Sequence, residues 1–264
     1  MGVKVPPGRS ALNRGMLRLD QRYVRRFNKR IVRKLLRKRC GIVVDSTGIR
    51  LRLRSAWYDI RIGRRNRRRD NVKLHLAVEL RRHAVVEYRI TKWGRNDPRY
   101  LGFLLRDLKE VLRVMADAGY LSRKNCDIVV EKNGKPFFCL KRNTMVKPGG
   151  SSVWKRMVQL AMMCKEIYDA IYHTRSVIEA VNSAIKRGYG NNVCTIRIKA
   201  RNTMIAPRLL AYNIKQLFYD RAARSLGVPF WIKCDRWTTV SGHSNVVDTL
   251  SHGRATGFYH SWML

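Results

Sequence analysis

The sequence predicts an α/β protein built on a mixed sheet flanked by helices, and three observations lead there. Segments of alternating apolar and polar residues fill the first third of the chain. Apolar residues then recur at helical spacing, and strand-like and helix-like stretches alternate further on. Strands that follow one another without a helix imply an antiparallel meander, whereas strand, helix, strand implies parallel pairing beside it.

Taken in order, residues 1–15 hold Pro6, Pro7 and several glycines and read as a flexible lead-in. "LRLDQRYVRRFNKRIVRKLLRKR" follows, with Val24, Phe27, Ile31 and Leu35 at helical spacing among basic residues, so a basic amphipathic helix is expected over 16–39. "CGIVVDSTGIRLRLRSAWYDIRIG" opens with an apolar run and continues by alternation, which predicts one buried strand and a second beside it. "RRNRRRD" is a strongly basic turn containing Arg65, Arg67 and Arg68. "VKLHLAVEL" and "HAVVEYRITKW" alternate again and complete the meander.

"DPRYLGFLLRDLKEVLRVM" changes period: Leu101, Leu104, Leu105, Leu108, Leu112 and Met115 mark a helical stripe that starts at Asp97-Pro98. "VMADAGY" reads as a brief strand and tight turn, "LSRKNCDIVVEKN" as a short helix and "KPFFCLKR" as a strand. After the loop "TMVKPGGSS" comes a long helical region broken near Tyr172, then a strand in "CTIRIKA" and the helix "IAPRLLAYNIKQLFYDRAARSLG". The last thirty or so residues lose the basic excess and read as a loosely ordered tail. The organisation expected is a basic arm and helix over 1–40, an α/β domain over 41–220 and a tail over 221–264.

Charge restricts the function classes. Lys and Arg number 56 against 18 Asp and Glu, a formal charge of +38 with an isoelectric point near 11.1. So large an excess opposes compaction unless a polyanion neutralises it, which points to a nucleic-acid partner. Arg26 and Arg30 of the basic helix and Arg65, Arg67 and Arg68 of the basic turn are the first candidates for phosphate contacts. No apolar run approaches the roughly 20 residues of a membrane span, and the N-terminus lacks the apolar stretch of a secretory signal. A soluble, intracellular protein is expected. The six cysteines are scattered without a C-x-x-C pair, so neither a disulfide framework nor a zinc site is indicated, and most are expected to be buried. "KPGGSS" lacks the Lys and hydroxyl of a nucleotide-binding loop, so no nucleotide cofactor is expected.

Three carboxylates stand out because acids are scarce. Asp45 follows "GIVV" inside the first strand, where an unpartnered carboxylate is costly. A nearby Arg, a turn-capping role through Ser46 and Thr47, or a divalent metal would each account for it. Asp117 in "VMADAGY" suits an Asx-type turn, and Glu179 a surface ion pair with Arg175 or Lys186. Taken together, Asp45 on the first strand, Asp117 on a parallel neighbour and Glu179 on a helix across that edge make a sink for two Mg²⁺ ions. The helix "YHTRSVIEAVNSAIK" has its own pattern. Tyr172, Glu179 and Lys186 recur every seven residues, returning to within about 20° on a helix, with Arg175 on the same face.

"VVDSTGI", "MADAGYLSRKN", "PRLLAYNIKQL" and above all Y-x-x-R-x-x-x-E-x-x-x-x-x-x-K, in this order, resemble the DDE transposases of prokaryotic insertion sequences, in the group with the Y-R-E-K signature, over roughly residues 41 to 218. The resemblance implies a ribonuclease H-like fold with a mixed five-stranded sheet. It implies Asp45, Asp117 and Glu179 as catalytic residues holding two Mg²⁺ ions (Mn²⁺ as a substitute), and Tyr172, Arg175 and Lys186 as contacts to DNA around the cleaved phosphate. The activity implied is cleavage of transposon-end DNA and strand transfer into target DNA, by a homodimer on paired ends in the prokaryotic cytoplasm, at the nucleoid. Many members carry a sizeable DNA-binding domain before the first Asp and some a β-rich insertion before the Glu; neither pattern is seen here. Two other readings stand beside this one: a truncated or domesticated relative that only binds DNA, and an RNA-binding structural protein. Asp97 reads as helix capping first, with an accessory acidic role second. His75 can face core or solvent, His173 adjoins Tyr172, and His243, His252 and His260 lie too far apart for a metal site. Trp57, Trp93 and Trp154 are read as core packing before base stacking.

Overall fold

A computed structural model of the chain describes residues 8–19, 21–36, 38–51, 60–63, 71–146, 150–195 and 198–228. Arg65, Arg67, Arg68, Trp57, Cys234, the three distal histidines and the segment 229–264 lie outside them.

The element order is α1 (Arg9–Arg18), α2 (Gln21–Leu35), β1 (Gly41–Leu51), β2 (Asn71–Glu79), β3 (Val85–Lys92), α3 (Leu101–Leu105), β4 (Arg113–Ala116), α4 (Arg123–Glu131), β5 (Lys135–Phe138), α5 (Ser152–Met163), α6 (Lys165–His173), α7 (Ser176–Tyr189), β6 (Asn192–Val193) and α8 (Ile198–Ser225). Short 3-10 turns at Asp97–Tyr100 and Ala118–Tyr120 precede α3 and follow β4.

The strands form one mixed sheet in the order β3-β2-β1-β4-β5, with the two-residue β6 added beside the far end of β1. β1–β2 and β2–β3 are antiparallel, and β1–β4 and β4–β5 are parallel. This is the ribonuclease H-like arrangement, with six strands among the described residues where five were expected. β1 lies at the centre, which explains its apolar opening: Ile42, Val43 and Val44 are fully buried, as in a strand covered on both faces.

Alternation along β1 sends Ser46 and Thr47 to opposite faces. Ser46 meets Asp97 just ahead of α3, and Thr47 meets Lys186 of α7, so these two helices cover opposite sides of the sheet. Helix starts follow local chemistry: the Ser122 and Ser151 hydroxyls accept the amides of Asn125 and Trp154 and cap α4 and α5. Gly190, at φ 89°, ends α7.

α2 is the basic helix the sequence predicts, yet its inward positions are Val24, Asn28, Val32 and Leu35. Phe27, expected inside, is 54% exposed. Asn28 displaces it because a polar partner waits there. Asn213 of α8 donates to the Asn28 side chain at 2.7 Å and to the Val85 carbonyl at 2.7 Å, and its Oδ1 accepts the Val85 amide at 2.8 Å. These bonds fasten α2 and α8 to the edge strand β3. Asp220 adds a second fastening, accepting from Arg82 at 2.6 Å and pairing with Arg224 at 2.6 Å.

Four expectations are corrected. The lead-in carries the helix α1 from Arg9. The alternation after Asp45 continues β1 to Leu51, so Ile49 to Leu51 belong to the first strand and not to a second. The helix from Asp97 stops at Leu105, because the chain must turn to place Arg113–Ala116 in the parallel ladder with β1; Met115 is therefore a strand residue and Leu112 is exposed. Among the described residues the strand that pairs with the end of β1 is Asn192–Val193, ahead of "CTIRIKA", and Ile198 already opens α8. Of the described cysteines only Cys40 and Cys126 are buried, all five being free thiols.

Candidate active site

The parallel ladder of β1 and β4 pairs Gly41 with Arg113 through to Val44 with Ala116. Asp45 and Asp117 are the next residue on each strand. Both therefore sit where the parallel pair ends, the edge at which open α/β sheets bind ligands. Asp117 is exposed and precedes the 3-10 turn, accepting the Tyr120 amide on its backbone carbonyl at 2.9 Å.

α7 approaches the same edge from the Thr47 face. Lys186 donates to Thr47 at 2.5 Å, and Glu179 occupies the first turn, where the helix dipole favours a negative charge. The region 152–189, expected as a long helical region of two helices broken near Tyr172, is three helices with breaks at Cys164 and at Thr174-Arg175. Tyr172 thus lies in the last turn of α6, while Arg175 sits at the N-cap of α7, and the Arg175 amide bonds to the Tyr172 carbonyl at 2.8 Å.

Electrostatics tie these residues into one neighbourhood. Burial raises the Asp45 carboxyl above its ordinary range, and Asp117 and Glu179 push it the same way, against a Ser46 backbone hydrogen bond and the Arg175 guanidinium. Burial disfavours the charge on Arg175, yet Tyr172, Asp45, Asp117 and Glu179 together hold its pKa above the usual value. Arg175 pairs directly with Glu179 at 2.9 Å, and Glu179 is 61% exposed. This is the i,i+4 pair that the sequence allowed. Burial lowers the Lys186 pKa, with Arg50 adding to that effect and Asp45 opposing it. Burial also raises the Tyr172 hydroxyl, together with a hydrogen bond to Cys139.

Arg175 is thus within electrostatic reach of Tyr172, Asp45, Asp117 and Glu179, and Lys186 within reach of Asp45. The structure does not gather the three carboxylates into a ligand shell: among the described residues no three His, Cys, Asp or Glu side chains form a metal-holding group. The donor chemistry nevertheless suits a hard divalent cation. All three groups are carboxylates, and a cation would offset both the burial and the mutual repulsion that raise Asp45. Arg26 and Arg30 lie on the exposed face of α2, on a different part of the fold.

Behind Asp45 lies a polar group that the sequence did not reveal. Asp97 is paired with Lys73 at 2.5 Å and lies 3.5 Å from His75 Nδ1, and its Oδ2 accepts from the Ser46 hydroxyl at 3.4 Å. It does not cap the helix as expected: Asn96 holds the cap position and makes no side-chain cap bond. His75 is fully buried, between Tyr120 Oη at 2.9 Å and Thr91 Oγ1 at 3.0 Å. The one available signal was alternation, which puts Lys73 and His75 on one face of β2. Trp154 packs on the core, whereas Trp93 is exposed against Gly48, and His173 is exposed beside Tyr172.

A family model described as Transposase DDE domain matches residues 36–214, a span that begins just before β1 and ends within α8. No curated protein and no solved structure matches the chain.

Proposed function

Since the chain belongs to the Transposase DDE domain family, we propose that it is an insertion-sequence transposase that cuts transposon-end DNA and joins it to target DNA at one site. The observation that carries this reading is the single electrostatic neighbourhood of Asp45, Asp117 and Glu179, three carboxylates from two strand ends and one helix, in a protein of charge +38.

Asp45, Asp117 and Glu179 would hold two divalent cations, Mg²⁺ or Mn²⁺. Such a pair lowers the pKa of an attacking water and stabilises the leaving oxygen of a phosphodiester. The chain's own residues supply the rest. Arg175 exchanges its pair with Glu179 for the scissile phosphate, where a planar guanidinium makes two parallel hydrogen bonds. Lys186, beside Asp45, adds a point charge, and the Tyr172 hydroxyl, held protonated by burial, donates a hydrogen bond to a phosphate oxygen. The freed 3′-hydroxyl then attacks the target phosphodiester in line, with the new oxygen–phosphorus bond forming as the old one breaks.

Arg26 and Arg30 on α2 hold flanking duplex by its phosphates, as would Arg65, Arg67 and Arg68 of the basic turn. We place the protein in the Y-R-E-K group of prokaryotic enzymes, acting as a homodimer on paired inverted repeats in the cytoplasm. No described helix is long and apolar enough to cross a membrane.

The test is Asp45→Asn, assayed on end-containing DNA with Mg²⁺. Strand cleavage should disappear while end binding persists, and cleavage that survives the change refutes the assignment. A wild-type protein that binds DNA yet yields no nicked product in Mg²⁺ or Mn²⁺ would instead be a non-catalytic DNA-binding relative.

A further inference from the structure

We infer that Asp97 is a positioning residue, which fixes the strand carrying Asp45 against the turn carrying Asp117. The inference rests on the catalytic reading of those two carboxylates.

Asp97 starts the 3-10 turn after β3, yet its side chain turns away from that helix end. It is 16% exposed and meets four residues on three separate elements. On β1 it accepts from Ser46, the residue after Asp45. On β2 it pairs with Lys73 and approaches His75. At the Asp117 turn it approaches Gly119, where an added Cβ would stand 3.0 Å from Asp97 Oδ2.

Sheet register explains the convergence. Ser46 lies directly across from His75, and Gly48 across from Lys73. Cross-strand partners share a face, so Ser46, His75 and Lys73 all project opposite to Asp45. Asp97 thus grips the reverse side of the strand whose front bears Asp45. The turn is held to the same group by Tyr120, whose hydroxyl meets His75 Nδ1, while Thr91 fixes the other ring nitrogen. A buried imidazole bonded at both nitrogens has no rotamer freedom left, so Tyr120 is anchored to β2.

Gly119 supports this assignment independently. Its backbone is not in the left-handed region that favours glycine. The missing side chain therefore serves the close approach of Asp97 rather than the chain path. Lys73, 17% exposed, neutralises the carboxylate, so an enclosed charge is retained here with its partner close by.

Asp97→Asn keeps the shape and removes the charge. Gly119→Ala keeps every charge and displaces the carboxylate. In the full chain, both should speed amide exchange at residues 117–120 and lower Mn²⁺ affinity, read by calorimetry, about tenfold, as loss of a residue that orients metal ligands does. Exchange in β2 and β5 should stay as in the wild type. Wild-type exchange at the turn in either variant overturns the inference. So does faster exchange spread evenly over the sheet in step with a lower melting temperature, which marks a merely structural role. If the wild-type protein binds no Mn²⁺, the metal-dependent reading of the site fails, and exchange at 117–120 still decides the role of Asp97.

Discussion

The Lys186 ammonium and the Thr47 hydroxyl meet at 2.5 Å, joining residues 139 positions apart in the chain. Thr47 lies two residues beyond Asp45 and on the same face of β1, so this bond sets where α7, and with it Glu179, rests against the strand. The order of contacts is specific: Ser46, between them, faces the other way, to Asp97.

Thr47→Val keeps the branched strand side chain and removes the acceptor. The loss should destabilise the protein by about 1–2 kcal/mol, in the range for a hydrogen bond to a charged group that is partly solvated. Urea unfolding measures it, and Thr47→Ser should restore most of the loss. Equal midpoints for Thr47→Val and wild type would mean that the bond contributes nothing.

Asp45 gives a stability prediction of opposite sign to its effect on activity. Burial raises its folded pKa, with Asp117 and Glu179 adding to the effect. A raised carboxyl contributes stability that is complete below the unfolded value and is lost as pH rises through the folded value. At neutral pH the ionised group is therefore a burden, as active-site charges often are. Without metal, Asp45→Asn should melt higher than wild type at pH 7, and the advantage should vanish below pH 4. Calorimetric melts across that span check both halves; a variant that melts lower at pH 7 contradicts the assignment.

His75 acts in the other direction. Burial pushes its pKa down from 6.5 to about 4, with Lys73 and Arg89 adding to that effect and Asp97 opposing it. Below pH 6.5 the unfolded chain takes up a proton that the folded ring refuses, so stability falls between pH 6.5 and 4 and levels off beneath. The full interval corresponds to about 3 kcal/mol. His83, also held to about 4 by burial, adds a fall of the same sense. His75→Asn should flatten the pH dependence of urea unfolding over this interval relative to wild type, and an unchanged slope counts against it.

Asn213 is fully buried and satisfies both backbone groups of Val85 as well as Asn28. Asn213→Leu removes the acceptor of the Val85 amide and a donor to both the Val85 carbonyl and Asn28, leaving only the longer Asn28–Val85 bond at 3.4 Å, at a cost of about 2 kcal/mol. Limited proteolysis should then release α2 first. A variant with wild-type melting temperature would show the cluster to be dispensable.

Arg26 and Arg30 are exposed on α2. If they contact phosphates, each alanine substitution should weaken DNA binding uniformly across sequences and reduce the salt slope by about 1. Fluorescence anisotropy between low and moderate salt reads this directly. An unaltered slope in the double variant places the DNA elsewhere.

What was legible in the sequence, and what was not, follows from where the information sits. β1 was readable because a strand buried on both faces must be apolar, and "IVV" is. Asp45 and Asp117 stand out in the sequence because each is the acid that directly follows a short apolar run, and the structure puts both at the end of the β1–β4 ladder. The inward face of α2 was misread because hydrophobic spacing cannot know that Asn28 has Asn213 as a partner 185 positions away. Helical spacing overruns the helix after Pro98 because Leu112 and Met115 happen to keep helical phase, while pairing with β1 decides the conformation of Met115. The break at Thr174-Arg175 leaves no glycine or proline to mark it. Asp97 looked like a cap because Asx-Pro usually is one; its ion pair with Lys73 exists only once β2 and β3 have paired.

The joining of α2 to α8 has a consequence for synthesis. α2 leaves the ribosome well before α8, the helix it leans on. Until Asn213 emerges, α2 can reach β3, through Arg25 to the Tyr88 carbonyl and Asn28 to the Val85 carbonyl, but it lacks α8, and the amide of Val85 lacks its acceptor. The nascent protein therefore cannot complete the seat of α2 before Asn213 of α8 has been translated.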